Sequence, residues 1–412
     1  MGIGNRLDRL KKINLRHYDF WLLMSVLILL LLGLIMVFSA SAPSSASQNK
    51  GDAYFVFRNQ LWNTLLGILG MIVLSFVPYR LWSKLSVLAL GGSMALLALV
   101  LVPLPGVTKA AKGAKRWIDV GFLNFQPSEI VKFALICFLA ASLAKRRERI
   151  GLFFKGLLPY LALIGAIVVL LALEPHFSAS VIIVSVSLIM LFAAGAKLRH
   201  FVLIAAPALA AGYFCVYQIE YFAYIRPRLE TFFSSPWDDV SGAGWQIVQS
   251  LYAIGSGGLF GRGIGKSMQK FLYLSEPYND FIFPVLAEEM GFVGVVMVLL
   301  LFGIFIWRGI KISVMAKDMF GCLLATGITS LIAIQSLFNI AVVTAAVPVT
   351  GVSLPFFSYG GTAMILFLGE VGVLLNISKS AHVDTVLPAN ELEAAQIQRQ
   401  AFVDRLLGAR RP

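Results

Sequence analysis

Trp245-Gln246-Ile247-Val248-Gln249-Ser250 begins a polar stretch that runs to Gly291 inside an otherwise apolar chain. A glycine-rich run from Gly255 to Gly265 follows, then Lys266 and Lys270, then Tyr278-Asn279-Asp280-Phe281-Ile282-Phe283 and Glu288-Glu289-Met290-Gly291. Asp280 stands where polarity gives way to a long hydrophobic run from Phe281. An acid at the lip of a membrane span is costly unless it is solvated, paired or used. The stretch therefore reads as a mixed-charge loop that dips to the edge of a membrane helix and carries chemistry there.

The rest of the chain supports that reading. Of 412 residues 58% are hydrophobic and only 13% charged, against roughly 25% charged in soluble domains. Mean hydropathy is +0.83. This is the composition of an integral membrane protein, and no nucleic-acid-binding pattern is present. Cys137, Cys215 and Cys322 all lie in apolar runs and read as small buried hydrophobes, with neither disulfide nor metal-ligand spacing.

A spanning helix needs about 20 apolar residues. Ten such runs are present, near 20–40, 61–78, 83–104, 128–145, 156–173, 179–196, 199–217, 281–307, 319–346 and 359–378. The expected fold is all-α and integral to the membrane, with about ten transmembrane helices and a large extracytoplasmic loop between helices 7 and 8. The domain plan is an N-terminus at 1–19, a membrane domain at 20–380 containing loop 218–280, and a tail at 381–412. The first run is too long for a signal-peptide core and has no clear cleavage site, so it is read as a retained helix.

Lys/Arg placement sets the orientation. Arg6, Arg9, Lys11, Lys12 and Arg16 precede the first span, and the even-numbered connections carry Arg80 and Lys84, then Lys145 to Lys155, Lys197 and Arg199, and Arg308 to Lys317. With ten spans all of these share one face with Arg410 and Arg411, so both termini are read as cytoplasmic. Two loops of the opposite face break the bias: 105–127 holds Lys109, Lys112, Lys115 and Arg116, and 218–280 holds Arg226, Arg228, Arg262, Lys266 and Lys270. Basic residues kept outside point to an anionic partner there, with solvated loop charge as the alternative. The tail from Ala381 is polar, and its Asn390 to Arg405 stretch suits a short amphipathic helix to which no chemistry is assigned.

Several ionisable residues fall inside or beside spans. Gln126-Pro127-Ser128 precedes Glu129 and Lys132. Pro127 suits a helix start, Ser128 can cap, and a spacing of three puts the two charges on one face, either as a structural pair or lining an outward polar cavity. Glu174-Pro175-His176 interrupts the apolar run between spans five and six; His176 reads as a packing or turn residue before a ligand or base. Adjacent Glu288 and Glu289 point about 100° apart, so at most one faces Asp280, and one is expected to be structural. Glu370 in span ten suggests interhelical hydrogen bonding, and Pro348 to Gly361 a rigid outer turn. The glycines 255–265 make a weak nucleotide motif, since no Gly-Lys-Ser/Thr follows with Walker spacing. They fit better as a flexible loop bringing Arg262, Lys266 and Lys270 to a pyrophosphate.

As a set, Ala114-Lys115-Arg116-Trp117-Ile118, Gln126-Pro127-Ser128-Glu129 with Lys132, the stretch Gln249 to Gly291, Asn339, Pro348-Val349-Thr350-Gly351 and Leu354-Pro355-Phe356-Phe357-Ser358-Tyr359-Gly360-Gly361 resemble the SEDS proteins, the family of FtsW, RodA and SpoVE. The similarity runs in order from about residue 20 to 380, and the block Gly113-Ala114-Lys115-Arg116-Trp117 and the short N-terminus lean toward the FtsW/SpoVE branch. The resemblance implies a ten-helix fold, polymerisation of peptidoglycan glycan strands from lipid II, Asp280 as the catalytic acid, and partnership with a class B penicillin-binding protein in the bacterial plasma membrane. It does not cover everything. Where the family often has Gln-Pro-Asp-Leu-Gly this chain has Glu174-Pro175-His176-Phe177-Ser178, so no role of that aspartate carries over. Tyr278 stands where His is frequent and Trp245 where Tyr is frequent, both keeping a ring.

The chemistry so implied joins a sugar 4-hydroxyl to an anomeric carbon bearing a lipid pyrophosphate. Glycosidases need two carboxylates because an alkoxide leaves poorly. A pyrophosphate leaves without a proton, so one base suffices. Asp280, at a helix start, would be kept ionised by the helix dipole. The substrate-binding candidates are Glu129, Lys132, Lys115, Arg116, Trp117, Arg226, Arg228, Arg262 and Lys266. A divalent cation, Mg or Mn, can share the pyrophosphate, but no acidic cluster identifies a metal site. The competing readings are a lipid II flippase, which needs a polar path through both halves of the bilayer, and a division scaffold, which gives no reason for Asp280.

Overall fold

In a computed structural model of the chain, which describes residues 18–48, 51–102, 108–111, 114–119, 124–238, 240, 242, 244–271 and 273–383, the apolar runs become helices. They are α1 (Phe20–Gln48), α2 (Phe55–Phe76), α3 (Arg80–Leu101), α4 (Pro127–Lys145), α5 (Leu158–Leu173), α6 (Phe177–Ala193) and α7 (Leu198–Gln218). After two short loop helices, α8 (Arg226–Phe233) and α9 (Trp245–Ser256), come α10 (Ile282–Met315), α11 (Met319–Val343) and α12 (Gly361–Val383). Among the described residues nine helices are long and apolar enough to cross a membrane, and α6, with 17 residues, is the shorter tenth. Its polar flanks Glu174-Pro175-His176 and Gly195 cut it short. The ten expected spans are thus present, with α1, α10 and α12 extending past their expected ends. Arg6, Arg9, Lys11, Lys12, Arg16, Lys112, Asn390 to Arg405, Arg410 and Arg411 lie outside the described residues, as do the side chains of Lys109 and Lys115.

One element was not foreseen. Within loop 105–127, β1 (Thr108–Ala111), β2 (Ala114–Asp119) and β3 (Asn124–Phe125) form an antiparallel sheet in the order β1-β2-β3. Thr108 pairs with Ile118, and Ile118 with Phe125. The sheet carries Arg116 and Trp117 over the end of the bundle where α4 begins.

Spans α4, α11 and α12 are the most buried and make the centre. The helix ends are tied by polar pairs. At one end of the bundle Asp19 accepts the Leu22 amide at 3.0 Å and Arg308 Nε of α10 at 2.9 Å. At the same end Asp318 caps α11 through the Gly321 amide at 2.8 Å and accepts the Tyr79 hydroxyl at 2.9 Å. At the other end Pro127 occupies the first turn of α4, as the sequence suggests; Ser128 does not cap, and its hydroxyl has no hydrogen-bond partner.

The glycine-rich segment behaves unlike a flexible loop. Gly291 breaks α10 with φ 66° and ψ −166°, and segment 258–263 fills the break. Phe292 N donates to Gly258 O at 2.9 Å and Val293 N to Leu259 O at 3.1 Å, while Arg262 N and Gly263 N donate to Glu288 O and Glu289 O at 2.9 and 3.0 Å. A β-carbon on Gly291 would meet the Gly261 nitrogen at 2.2 Å, so only glycine fits this crossing. Both glutamates then anchor the loop. Glu288 accepts Ser267 Oγ at 2.5 Å and the Met268 amide at 2.9 Å, and Glu289 accepts Ser39 Oγ at 2.6 Å and Lys270 Nζ at 2.9 Å. Both are almost completely buried. Neither turns to Asp280; the expectation that only one is structural is corrected to both.

Candidate active site

The irregular segment 348–361 is the frame on which Asp280 hangs. Tyr359 N donates to Tyr278 O at 2.8 Å. Ser358 Oγ donates to Asn279 O at 2.7 Å and accepts the Leu354 amide at 2.7 Å. Asn339, from α11, donates through Nδ2 to Asp280 O at 2.8 Å and to Val352 O at 2.6 Å. The residue beside the Asp280 carboxylate is Gly351, with φ +70°, where an added β-carbon would lie 3.0 Å from Oδ2. A side chain there would both strain the backbone and crowd the acid. Asp280 lies in the turn before α10, two residues ahead of Ile282, close to the expected helix start.

Asp280 opens on a cavity of about 1250 Å³, at the large end for ligand sites. The prediction from sequence places Glu129 and Lys132 in the same cavity, and they line it. Asn59 and Trp62 of α2, Ile182 of α6 and Leu366 of α12 also border it, as do Arg116, Trp117 and Arg228. On the spans the lining runs from mid-helix to the end that faces the β-sheet, as in Asn59 to Leu66 of α2 and Glu129 to Lys132 of α4.

Lys132 Nζ lies 2.8 Å from Glu129 Oε2 and donates to Gln335 Oε1 at 3.0 Å. It also sits 5.7 Å from the Phe367 ring centre, within cation–π range. Gln335 in turn donates to Ser353 O at 3.1 Å, so the ion pair is joined to the frame that holds Asp280. Glu370 is buried nearby on α12, but its Oε2 has no hydrogen-bond partner; the expected interhelical bond is absent at that oxygen.

Arg116 donates to the main-chain oxygens of Glu174, at 3.2 Å, and Pro175. Burial and the neighbouring Arg228 weigh against its charge, whereas Tyr224, Glu174 and Asp280 favour it. Arg228 donates to Val349 O at 3.4 Å. Two guanidinium groups therefore border the Asp280 cavity. Glu174, 1% exposed and with both carboxyl oxygens unpartnered, is pushed up to about 8 by burial, with Arg116 opposing. His176, read from the sequence as a packing or turn residue, is buried and lines the cavity.

Three substrate-binding candidates are not brought here. Arg226 turns back to cap α7, donating to Val216 O at 2.7 Å and Tyr217 O at 2.9 Å. Arg262 sits 3.2 Å from Glu288 Oε1, and Lys266 is exposed on the docked loop, and neither borders the cavity. Charge alone placed them near an anion; carboxylates and carbonyl ends that sequence cannot locate claimed two of the three. Lys115 lies on β2, its side chain outside the described residues. The functional residues sequence reasoning missed are neutral: Gln60, Gln335 and Ser358. Gln60 braces the frame through Ser358 O and the Gly360 amide, both at 3.3 Å. The available signal was an uncharged amide inside an apolar helix, since such a group must find a partner. Among the described residues no group of three His, Cys, Asp or Glu is placed to hold a metal.

A family model described as "Cell cycle protein", covering FtsW, RodA and SpoVE, matches residues 20–383. Stage V sporulation protein E of Bacillus subtilis is 42% identical over 364 residues, 88% of this chain and 97% of that protein. A probable peptidoglycan glycosyltransferase FtsW of Trichlorobacter lovleyi is 42% identical over 368 residues, 89% of this chain and 95% of that one. A chain of a solved peptidoglycan synthase complex that coordinates polymerization and crosslinking superposes with TM-score 0.73 at 30% identity, over 89% of this chain and 99% of its own. The rod shape determining protein RodA of Thermus thermophilus gives 0.65 at 29%, over 90% and 99%.

Proposed function

Because the chain belongs to the FtsW/RodA/SpoVE family, we propose that it is a peptidoglycan glycosyltransferase that polymerises lipid II, with Asp280 as its general base. The observation that carries this is the placement of one carboxylate at the mouth of a large cavity that Arg116 and Arg228 also border. Asp280 takes the proton of the acceptor 4-hydroxyl. The oxygen attacks the anomeric carbon of the donor as its bond to the pyrophosphate oxygen breaks, and the lipid pyrophosphate leaves without needing a proton. Arg116 and Arg228 neutralise the pyrophosphate through charge-assisted hydrogen bonds. Glu129 and Lys132, pinned to the Ser353 segment through Gln335, shape the floor. Among the described residues no group of three acidic or imidazole side chains is placed to hold Mg or Mn, and an ion that shares the pyrophosphate charge belongs to the same proposal.

The partner in this reading is a class B penicillin-binding protein, whose transpeptidation consumes the glycan strand. The chain is multi-pass in a bacterial plasma membrane with both termini cytoplasmic, the sheet and cavity facing outward, and it stands on the FtsW/SpoVE side, with whose members it shares about 40% identity. A flippase reading is disfavoured because on the spans the lining reaches only from one end to mid-helix, Leu66 of α2 being its innermost residue there. The decisive assay is lipid II polymerisation by the purified chain, with and without its transpeptidase. Asp280→Asn keeps the size and should lower the rate about 10²–10⁴-fold. A near wild-type rate would overturn the assignment.

A further inference from the structure

The end of the bundle away from the cavity carries a concentration of positive charge that the reaction does not use. Between α4 and α5 the chain makes a 3₁₀ turn, Arg147–Arg149, and a π-helical turn, Phe153–Leu157, that runs directly into α5. The connection between α6 and α7 lies against it. A β-carbon on Gly151 would come 3.7 Å from Lys197 Cε, and the Phe153 and His200 rings meet edge-on with centres 5.4 Å apart. The first connection is also folded tightly on itself. Leu152 N donates to Arg149 O at 3.0 Å, and that same oxygen leaves no room for a β-carbon on Gly156. These contacts hold Arg149, Lys155 and Lys197 on one patch, and all three are exposed. Among the described residues none of the three side chains has an ion-pair partner. Glu148 is the only acid in the two connections. Large apolar side chains stand beside the cations: Leu152, Phe154 and Leu198 are 54%, 76% and 65% exposed.

We propose that Arg149, Lys155 and Lys197 bind the headgroup of an anionic phospholipid in the leaflet at this end of the bundle, with Leu152, Phe154 and Leu198 against its acyl chains. Cations clustered between spans at the membrane boundary attract an anionic headgroup, and a guanidinium fork matches the oxygens of a phosphate. The turn leads into α5, and Leu198 opens α7, so the apolar side chains stand where spans leave the hydrocarbon and the long basic side chains can reach the phosphate level. An acidic protein segment would answer the charge but leave Phe154 and Leu198 without apolar cover; a phospholipid answers both. The site requires only that these spans meet a bilayer, so its failure leaves the glycosyltransferase reading untouched.

The test is native mass spectrometry of the full chain purified in detergent, titrated with phosphatidylglycerol or with phosphatidylcholine of the same acyl chains. Arg149→Gln, Lys155→Gln and Lys197→Gln should each weaken phosphatidylglycerol binding about fivefold and leave phosphatidylcholine unchanged. Three such factors multiply to a preference of about a hundredfold in the wild-type chain, which the triple variant should lose. Lys197→Arg should keep the preference. Lys311→Gln, which removes an exposed cation of α10 at the same end, should also keep it, because a site differs from a diffuse field in needing particular cations. Phe154→Ser should weaken both lipids alike. The three cations have no ion-pair partners to lose, so their variants should accumulate as wild type does. Equal affinity of the wild-type chain for the two lipids, the outcome expected of a surface for an acidic protein, would overturn the site. So would an unchanged preference in the triple variant, or a loss in Lys311→Gln as large as that in Lys197→Gln.

Discussion

Removing Glu129 tests whether the intramembrane ion pair organises the cavity. Its carboxylate lies 2.8 Å from Lys132 Nζ, and the two side chains are 10% and 3% exposed. Breaking a buried pair by deleting one partner costs about 3–5 kcal/mol, because an uncompensated charge stays behind. In Glu129→Ala the ammonium keeps Gln335 Oε1 at 3.0 Å and the Phe367 ring, and water from the cavity can reach it. The loss should therefore fall near the lower limit, about 3 kcal/mol. Lys132→Met should cost less, since the stranded carboxylate faces the cavity and can be hydrated. The double variant Glu129→Gln/Lys132→Met should be more stable than the sum of the single losses predicts, as expected for coupled neighbours. Thermal unfolding of purified protein in detergent, followed by size-exclusion, gives the stabilities, and lipid II polymerisation gives the activities. Displacing Lys132 also loosens Gln335 from Ser353, so activity should fall in both single variants. A Glu129→Ala protein with wild-type melting temperature and full activity would refute the coupling.

Other outcomes follow from the same contacts. Arg226→Ala should lower stability by about 1–3 kcal/mol through two orphaned carbonyls and leave the KM for lipid II unchanged, whereas Arg228→Ala should raise KM, less so at high salt; steady-state kinetics at two ionic strengths separate them. Glu174 binds its proton up to about pH 8 when folded, against 4.5 as the ordinary value. The folded state then holds more protons between those limits, so the stability the neutral acid contributes is complete below pH 4.5 and is lost as pH rises toward 8. Glu174→Gln should remove that slope, gaining stability relative to wild type on the order of a few kcal/mol at alkaline pH, as read by melting temperature against pH. Reporters fused after Lys155 or Lys311 should read cytoplasmic and one at Ser241 external; an external signal at Lys155 would sink the orientation.

The spans were legible because crossing a bilayer demands a length and an apolarity that few other segments show. Asp280, Glu129 and Lys132 were legible because charge inside such a segment is rare and must be used. Arg226, Arg262 and Lys266, expected at the substrate, lie off the Asp280 cavity, since a basic residue in a loop declares its charge but not its partner. Glu288 and the carbonyls of Val216 and Tyr217 come close to two of those cations only when the chain is folded. The sheet at 108–125 escaped notice because strands such as Thr108-Lys109-Ala110-Ala111 are short and lack alternation. Gln335 and Gln60 are single amides in apolar helices, and nothing local distinguishes a brace from a tolerated polar residue.

The break in α10 bears on how the protein is made. In the proposed orientation segment 258–263, which precedes α10 in the chain, is carried across the membrane ahead of that helix. An unbroken helix would pair the amides of Phe292 and Val293 with the carbonyls of Glu288 and Glu289; it is the two carboxylates of Glu288 and Glu289 that lack Ser267, the Met268 amide and Lys270 until the loop docks. Hydrocarbon offers such groups nothing, at several kcal/mol each. Insertion of this span is consequently not a partitioning event that the segment performs alone. It is completed by a piece of chain already on the far side of the membrane, which acts as a template. With the proposed orientation, burial of these two carboxylates in the outer third of α10 is complete only once the glycine segment has docked.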